Sequence, residues 1–144
     1  MKKLLIVLVA GFALYGLLGK NPYIIDSYAQ ESSGNNQQIA SAYKNRQSDL
    51  QVRGSGVVIQ NLEDDIKGSQ HQKFIIKLSS GQTLLVAHNI DLAPRINSLR
   101  EGDRVEFYGE YEWNAKGGVL HWTHHDPDGR HQNGWLKHNG ARYQ

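Results

Sequence analysis

Glu101-Gly102-Asp103-Arg104-Val105-Glu106-Phe107-Tyr108-Gly109-Glu110-Tyr111-Glu112-Trp113 changes character at every step once past its opening turn. Val105, Phe107, Gly109, Tyr111 and Trp113 share one parity, while Arg104, Glu106, Tyr108, Glu110 and Glu112 share the other. A period of two is the signature of a strand with one face against a core, because successive side chains leave a strand on opposite sides. The inward set is apolar and aromatic, and the outward set is mainly acidic.

Working outward from this strand, the same alternation recurs. Thr83–His88 points Leu84 and Val86 inward, and Gln72–Leu78 does the same with Phe74, Ile76 and Leu78, leaving Lys73 and Lys77 outside. Ser79-Ser80-Gly81 between them reads as a tight hairpin turn. Gln51–Leu62 is a further strand, with Gly54 and Gly56 where it bends or passes close to another chain segment. Asp91–Ile96 reads as a helical turn, with Asp91 as N-cap and Pro94 in the first turn. After the turn at Asn114–Gly118, Val119–His125 returns as the last strand. Ahead of all of these, Gln37 to Leu50 spaces Ile39, Ala42, Tyr43, Arg46 and Leu50 as one face of a short amphipathic helix. The order predicts a mainly β fold: a five-stranded OB-like barrel, with one short helix before the first strand and another between the third and fourth.

Met1-Lys2-Lys3 followed by an apolar run from Leu4 to Gly19 has the n-region and h-region of an export signal. Residues 1–29 are therefore expected to be a signal peptide or N-terminal membrane anchor, with Ser27-Tyr28-Ala29 offering a cleavage site. Residues 30–36 are expected to be a polar tether and 37–144 a single domain with a His-rich C-terminal extension. The expected location is periplasmic or extracytoplasmic, secreted or held at the inner membrane by residues 4–19. The chain has 16 Lys and Arg against 14 Asp and Glu, but three of those bases and one of those acids lie in residues 1–29, which leaves 13 of each beyond the leader. A domain with no surplus of positive charge is a poor match for nucleic acid. The absence of cysteine excludes thiol chemistry and thiolate-bound metal.

Four segments carry a resemblance. They are Gly68-Ser69-Gln70-His71-Gln72-Lys73-Phe74, the run from Thr83 to Ile96, the strand Glu101–Trp113, and Gly118–His125 with Asp126-Pro127. Over about residues 45–144 they resemble a family of small exported bacterial proteins catalogued as domain of unknown function 3465. The resemblance implies the extent of the fold and an exported location. It implies no activity and assigns no catalytic residue.

Five of the seven histidines lie between His121 and His138. Neutral imidazole is the commonest protein metal ligand. His121, His124, His125 and His131 with Asp126 form a candidate zinc-type set of nitrogen and oxygen donors. On a continuous strand His121, Thr123 and His125 would point one way, and Trp122 and His124 the other. Asp126-Pro127-Asp128-Gly129 is a favourable type I turn that can bring His131 back towards His124 or His125. The structural alternative places these histidines at a barrel mouth, bonded to turn carbonyls and stacked on Trp122 and Trp135. A His-x-His nuclease finger is disfavoured, because Asp126–Gly129 and Asn133-Gly134 break the chain where a helix is required.

His88 shares the inward parity of Leu84 and Val86, as a core-edge histidine would, and also stands near the expected ligand end. With Trp122, Tyr108 and Trp135 it completes the candidate ligand-binding set. The residues name no reaction. The favoured reading is an exported binding module for a small molecule, a glycan or an envelope protein partner, with the membrane met only through the N-terminal segment. The alternatives are a zinc-dependent hydrolase using the C-terminal histidines and a purely structural interaction domain.

Overall fold

In a computed structural model of the protein, residues 35–144 are described. The leader expected over 1–29 and most of the tether expected over 30–36 lie outside them. Residues 35 and 36, the end of that expected tether, are helical. Among the described residues no helix is long and apolar enough to cross a membrane.

A helix, α1 (35–44), precedes seven strands: β1 (Leu50–Asn61), β2 (His71–Lys77), β3 (Thr83–Asn89), β4 (Arg104–Glu112), β5 (Val119–His121), β6 (Trp135–His138) and β7 (Ala141–Tyr143). The first five close on themselves in the order β1-β2-β3-β5-β4, with β4 pairing back to β1. Every pairing in the ring is antiparallel except β3 with β5. This is the mixed five-stranded barrel of OB type that the strand order predicts.

Closure depends on β1 serving two neighbours. Leu50–Val57 pairs with β4, and Val57–Asn61 pairs with β2 across an irregularity between Val58 and Gln60 that bends the strand. In the β1–β4 ladder backbone lies against core: Gly54 is opposite Phe107, and a Cβ on it would sit 2.8 Å from Cζ of that ring. The barrel interior is filled by the parity-matched residues, with Val52, Phe74, Ile76, Leu84, Val86, Val105, Phe107, Tyr111 and Leu120 all buried. Burying such a side chain stabilises by roughly 1.5–3 kcal/mol, against the entropy of ordering the chain.

Helix α1 contributes Ile39 and Ala42 to the same core. It is shorter than the expected 37–50, because Arg46 and Asp49 take positive φ values of 53° and 58° and break the helical path. The Trp113 indole donates to the Tyr43 carbonyl at that end, and Leu50 begins β1 instead.

The helix expected between the third and fourth strands is absent; the segment after β3 is a succession of turns. Its polar groups go elsewhere. Asn89, not Asp91, supplies the cap, with Oδ1 accepting from the amides of Asp91 and Leu92. The Asp91 carboxylate accepts from Gln70 N, and Ile96 N donates to the Gln72 side chain. Pro94 has no N–H to offer, so helical bonding stops after one turn.

Strand β5, expected to run through His125, also ends early, at His121, where Trp122 adopts a φ of 55°. The alternation expected through His125 therefore fails: Thr123 and His124, neighbours in sequence, are both buried. The C-terminal extension is a hairpin, and β6 pairs with β4 through Glu106–Tyr108. Strands β5 and β6 thus share one edge of β4, and residues 122–134 form an excursion between them.

Candidate functional site

The neck of this excursion is tight. Gly134 N donates to the His124 carbonyl at 2.9 Å, and a Cβ on Gly134 would fall 2.0 Å from the Trp122 carbonyl. Asp126 organises the interior of the loop. Its carboxylate accepts from the amides of Asp128, Arg130 and His131 at 2.7–2.9 Å. The Asp128 amide, followed by that of His131, holds the Asp126 carboxyl below its ordinary range. The turn from Asp126 to Gly129 forms as expected, with a 3.1 Å bond between them.

That loop lays the His131 ring flat on Trp122, with centroids 4.0 Å apart and an 8° angle between planes. His131 Nδ1 faces the Gln132 carbonyl, and Nε2 bonds the Glu110 carboxylate. Both oxygens accept, so the surroundings favour the ring protonated at both nitrogens. Desolvation opposes that charge, but Glu110, the Gln132 carbonyl and Asp126 outweigh it and raise the His131 pKa.

His121 stands directly opposite Glu110 in the β4–β5 register. Its Nε2 lies 3.3 Å from Oε1 of Glu112 and 3.8 Å from Oε1 of Glu110. This nitrogen is buried and has no hydrogen bond. One donor atom from each of Glu110, Glu112 and His121 falls within 4.8 Å of the others.

Beside this cluster is an open hollow of about 220 Å³, lined by His71, Asn89, Leu92, His121, Trp122 and His124. His71 Nδ1 donates to the Ser69 carbonyl at 2.9 Å, and His124 Nδ1 to the His125 carbonyl at 2.7 Å. With Nδ1–H committed in each bond, Nε2 is the ring nitrogen left for a ligand.

His88 lies beneath the loop and is fully buried. Nε2 donates to the Pro94 carbonyl at 3.0 Å, and Nδ1 accepts from the Thr123 hydroxyl at 2.7 Å. Desolvation pushes its pKa down to about 4, so the ring is neutral. A ligand contact for His88, expected from the sequence, does not fit this burial. Its inward parity, also legible there, does.

The remaining expected residues are dispersed. Tyr108 and Trp135 pair across β4 and β6, away from the hollow, and the Trp135 ring carries the Arg53 and Arg142 guanidiniums at 5.5 and 4.6 Å. His125 is exposed, and Asp126 is committed to backbone amides. The expected metal set of His121, His124, His125, His131 and Asp126 is therefore not assembled at one point. Among the described residues, the group with metal-ligating proximity is Glu110, Glu112 and His121. The two glutamates were visible only as an acidic strand face; strand pairing is what adds His121 to them.

The fold is that of a small OB-like barrel domain, with Glu110 and Glu112 of β4 beside His121 of β5 and Trp122 at the start of the excursion. The chain belongs to the family DUF3465, described as "Protein of unknown function", whose model matches residues 23–144. No curated protein matches the chain.

Proposed function

We propose that this protein is an exported binding module of the bacterial envelope that takes up a small molecule or a glycan segment at the hollow beside Trp122. The observation that carries the reading is convergence. His71 opens β2, Asn89 closes β3, His121 closes β5, and Trp122 and His124 begin the excursion, yet all five line one hollow. An aromatic ring with imidazole nitrogens of fixed tautomer suits a neutral ligand rich in hydroxyl donors. The balanced charge beyond the leader and the acidic outer face of β4 argue against a polyanion.

Two measurements test it. Fusion of alkaline phosphatase after residue 144 should give active enzyme, which requires export; an inactive fusion retained in the cytoplasm would refute the location. A panel of soluble oligosaccharides followed by amide chemical shifts should move Asn89, Trp122 and His124, and His124→Ala should abolish the response. Shifts confined to the Tyr108–Trp135 face would place recognition elsewhere and overturn the reading.

A further inference from the structure

We infer that Glu110, Glu112 and His121 form a divalent-cation site, with zinc the best-matched ion. Two features of the geometry meet here. Glu110 and Glu112 are two residues apart on one strand and therefore project from the same face. His121 faces Glu110 across the β4–β5 pair, so the three side chains converge without help from any flexible loop.

The distances suit a small ion. A tetrahedral ion with ligands at about 2.0–2.2 Å sets its ligand atoms roughly 3.3–3.6 Å apart. The His121–Glu112 separation is 3.3 Å and the His121–Glu110 separation is 3.8 Å. The full set spans no more than 4.8 Å, which side-chain rotation of a half-exposed Glu112 can close.

The donor chemistry discriminates further. Calcium requires six to eight oxygen ligands, and this cluster offers two carboxylates and an imidazole. A mixed nitrogen and oxygen set without sulfur suits zinc. The orphaned nitrogen points the same way. Nε2 of His121 is buried, has no hydrogen bond and faces both carboxylates, so a bound cation would take up a donor atom that the fold leaves unpartnered. His131 bonds the other oxygen of Glu110, which orients that carboxylate and leaves Oε1 on the side of His121. Three protein ligands leave a fourth position for water or for a donor atom of a bound molecule.

The site does not rest on the recognition reading. The hollow can hold a ligand without a metal, and the cluster can hold a metal without that ligand.

The test is zinc titration calorimetry on the untagged full chain after chelator stripping. One zinc per chain is expected, with Glu112→Gln and His121→Gln each weakening affinity by roughly tenfold or more, as loss of even an outer-shell partner can do. His125→Ala, in the same histidine-rich segment but outside the cluster, should bind as the parent does. Near-ultraviolet circular dichroism establishes that each variant is folded; should His121→Gln unfold, the half-exposed Glu112→Gln decides alone. The inference is overturned by absence of stoichiometric binding, by parental affinity in Glu112→Gln, or by equal loss in His125→Ala.

Discussion

His88 and His121 sit on adjacent paired strands of one barrel, yet their surroundings differ in every respect that matters to chemistry. His88 is 0% exposed, with one nitrogen donating to Pro94 and the other accepting from Thr123. The side chain of His121 is 29% exposed, and its Nε2 faces two carboxylates without a hydrogen bond. The first ring has all its partners inside the fold and is part of what holds the excursion onto the barrel. The second keeps a buried nitrogen that no group of the fold hydrogen-bonds. Histidine content alone does not separate these roles; the count of satisfied nitrogens does.

The contrast can be broken most directly by removing the buried ring. His88→Ala opens a cavity and strands the Thr123 hydroxyl and the Pro94 carbonyl, so urea unfolding should show a loss of about 3–4 kcal/mol. A loss below 1 kcal/mol would mean that His88 is not the anchor its burial suggests.

Acid should act through the same residue. The unfolded chain takes up a proton near the ordinary value of 6.5, whereas the folded ring does so only at about 4. The His88 contribution is therefore fully present above pH 6.5, falls as pH drops from 6.5 towards 4, and is exhausted below that. The window corresponds to about 3 kcal/mol. Nitrogen-detected NMR of the imidazoles should show the Nε2–H tautomer of His88 persisting through pH 5, and titration near 6.5 would refute it.

Thr123→Val keeps the shape but removes the donor to His88 Nδ1, and should lower stability by about 1–2 kcal/mol in the same urea assay. The smallest effect belongs to the Glu110, Glu112 and His121 cluster. Glu110→Gln removes the charge beside His131 but keeps a hydrogen-bond acceptor, and should change stability by about 1 kcal/mol. A cost as large as that of His88→Ala would make the cluster a structural element of the fold and erase the distinction.

Much of this architecture was legible before folding. The inward parities of Leu84, Val86, Phe107 and Tyr111, the hairpin at Ser79–Gly81 and the close approach at Gly54 all follow from local pattern. Side-chain alternation and turn chemistry are properties of a few consecutive residues, and burial simply selects the apolar side. The same locality explains His88, whose parity already placed it inside, and the Asp126–Gly129 turn.

What tertiary structure alone decided is where a strand stops and whom it faces. The left-handed Trp122 ends β5 at His121, so the histidines after it leave the strand pattern that period two predicts. Asp126 has the donor atoms of a metal ligand, but loop closure commits them to backbone amides. Glu110 and Glu112 lie nine or more residues from His121 along the chain and become its neighbours only through the β4–β5 register. Alternation is set by the backbone of one strand, whereas a site needs several strands brought to one register. The sequence therefore determined the barrel and its inner face, and the assembled sheet decided which of its histidines are sealed and which stand beside open carboxylates.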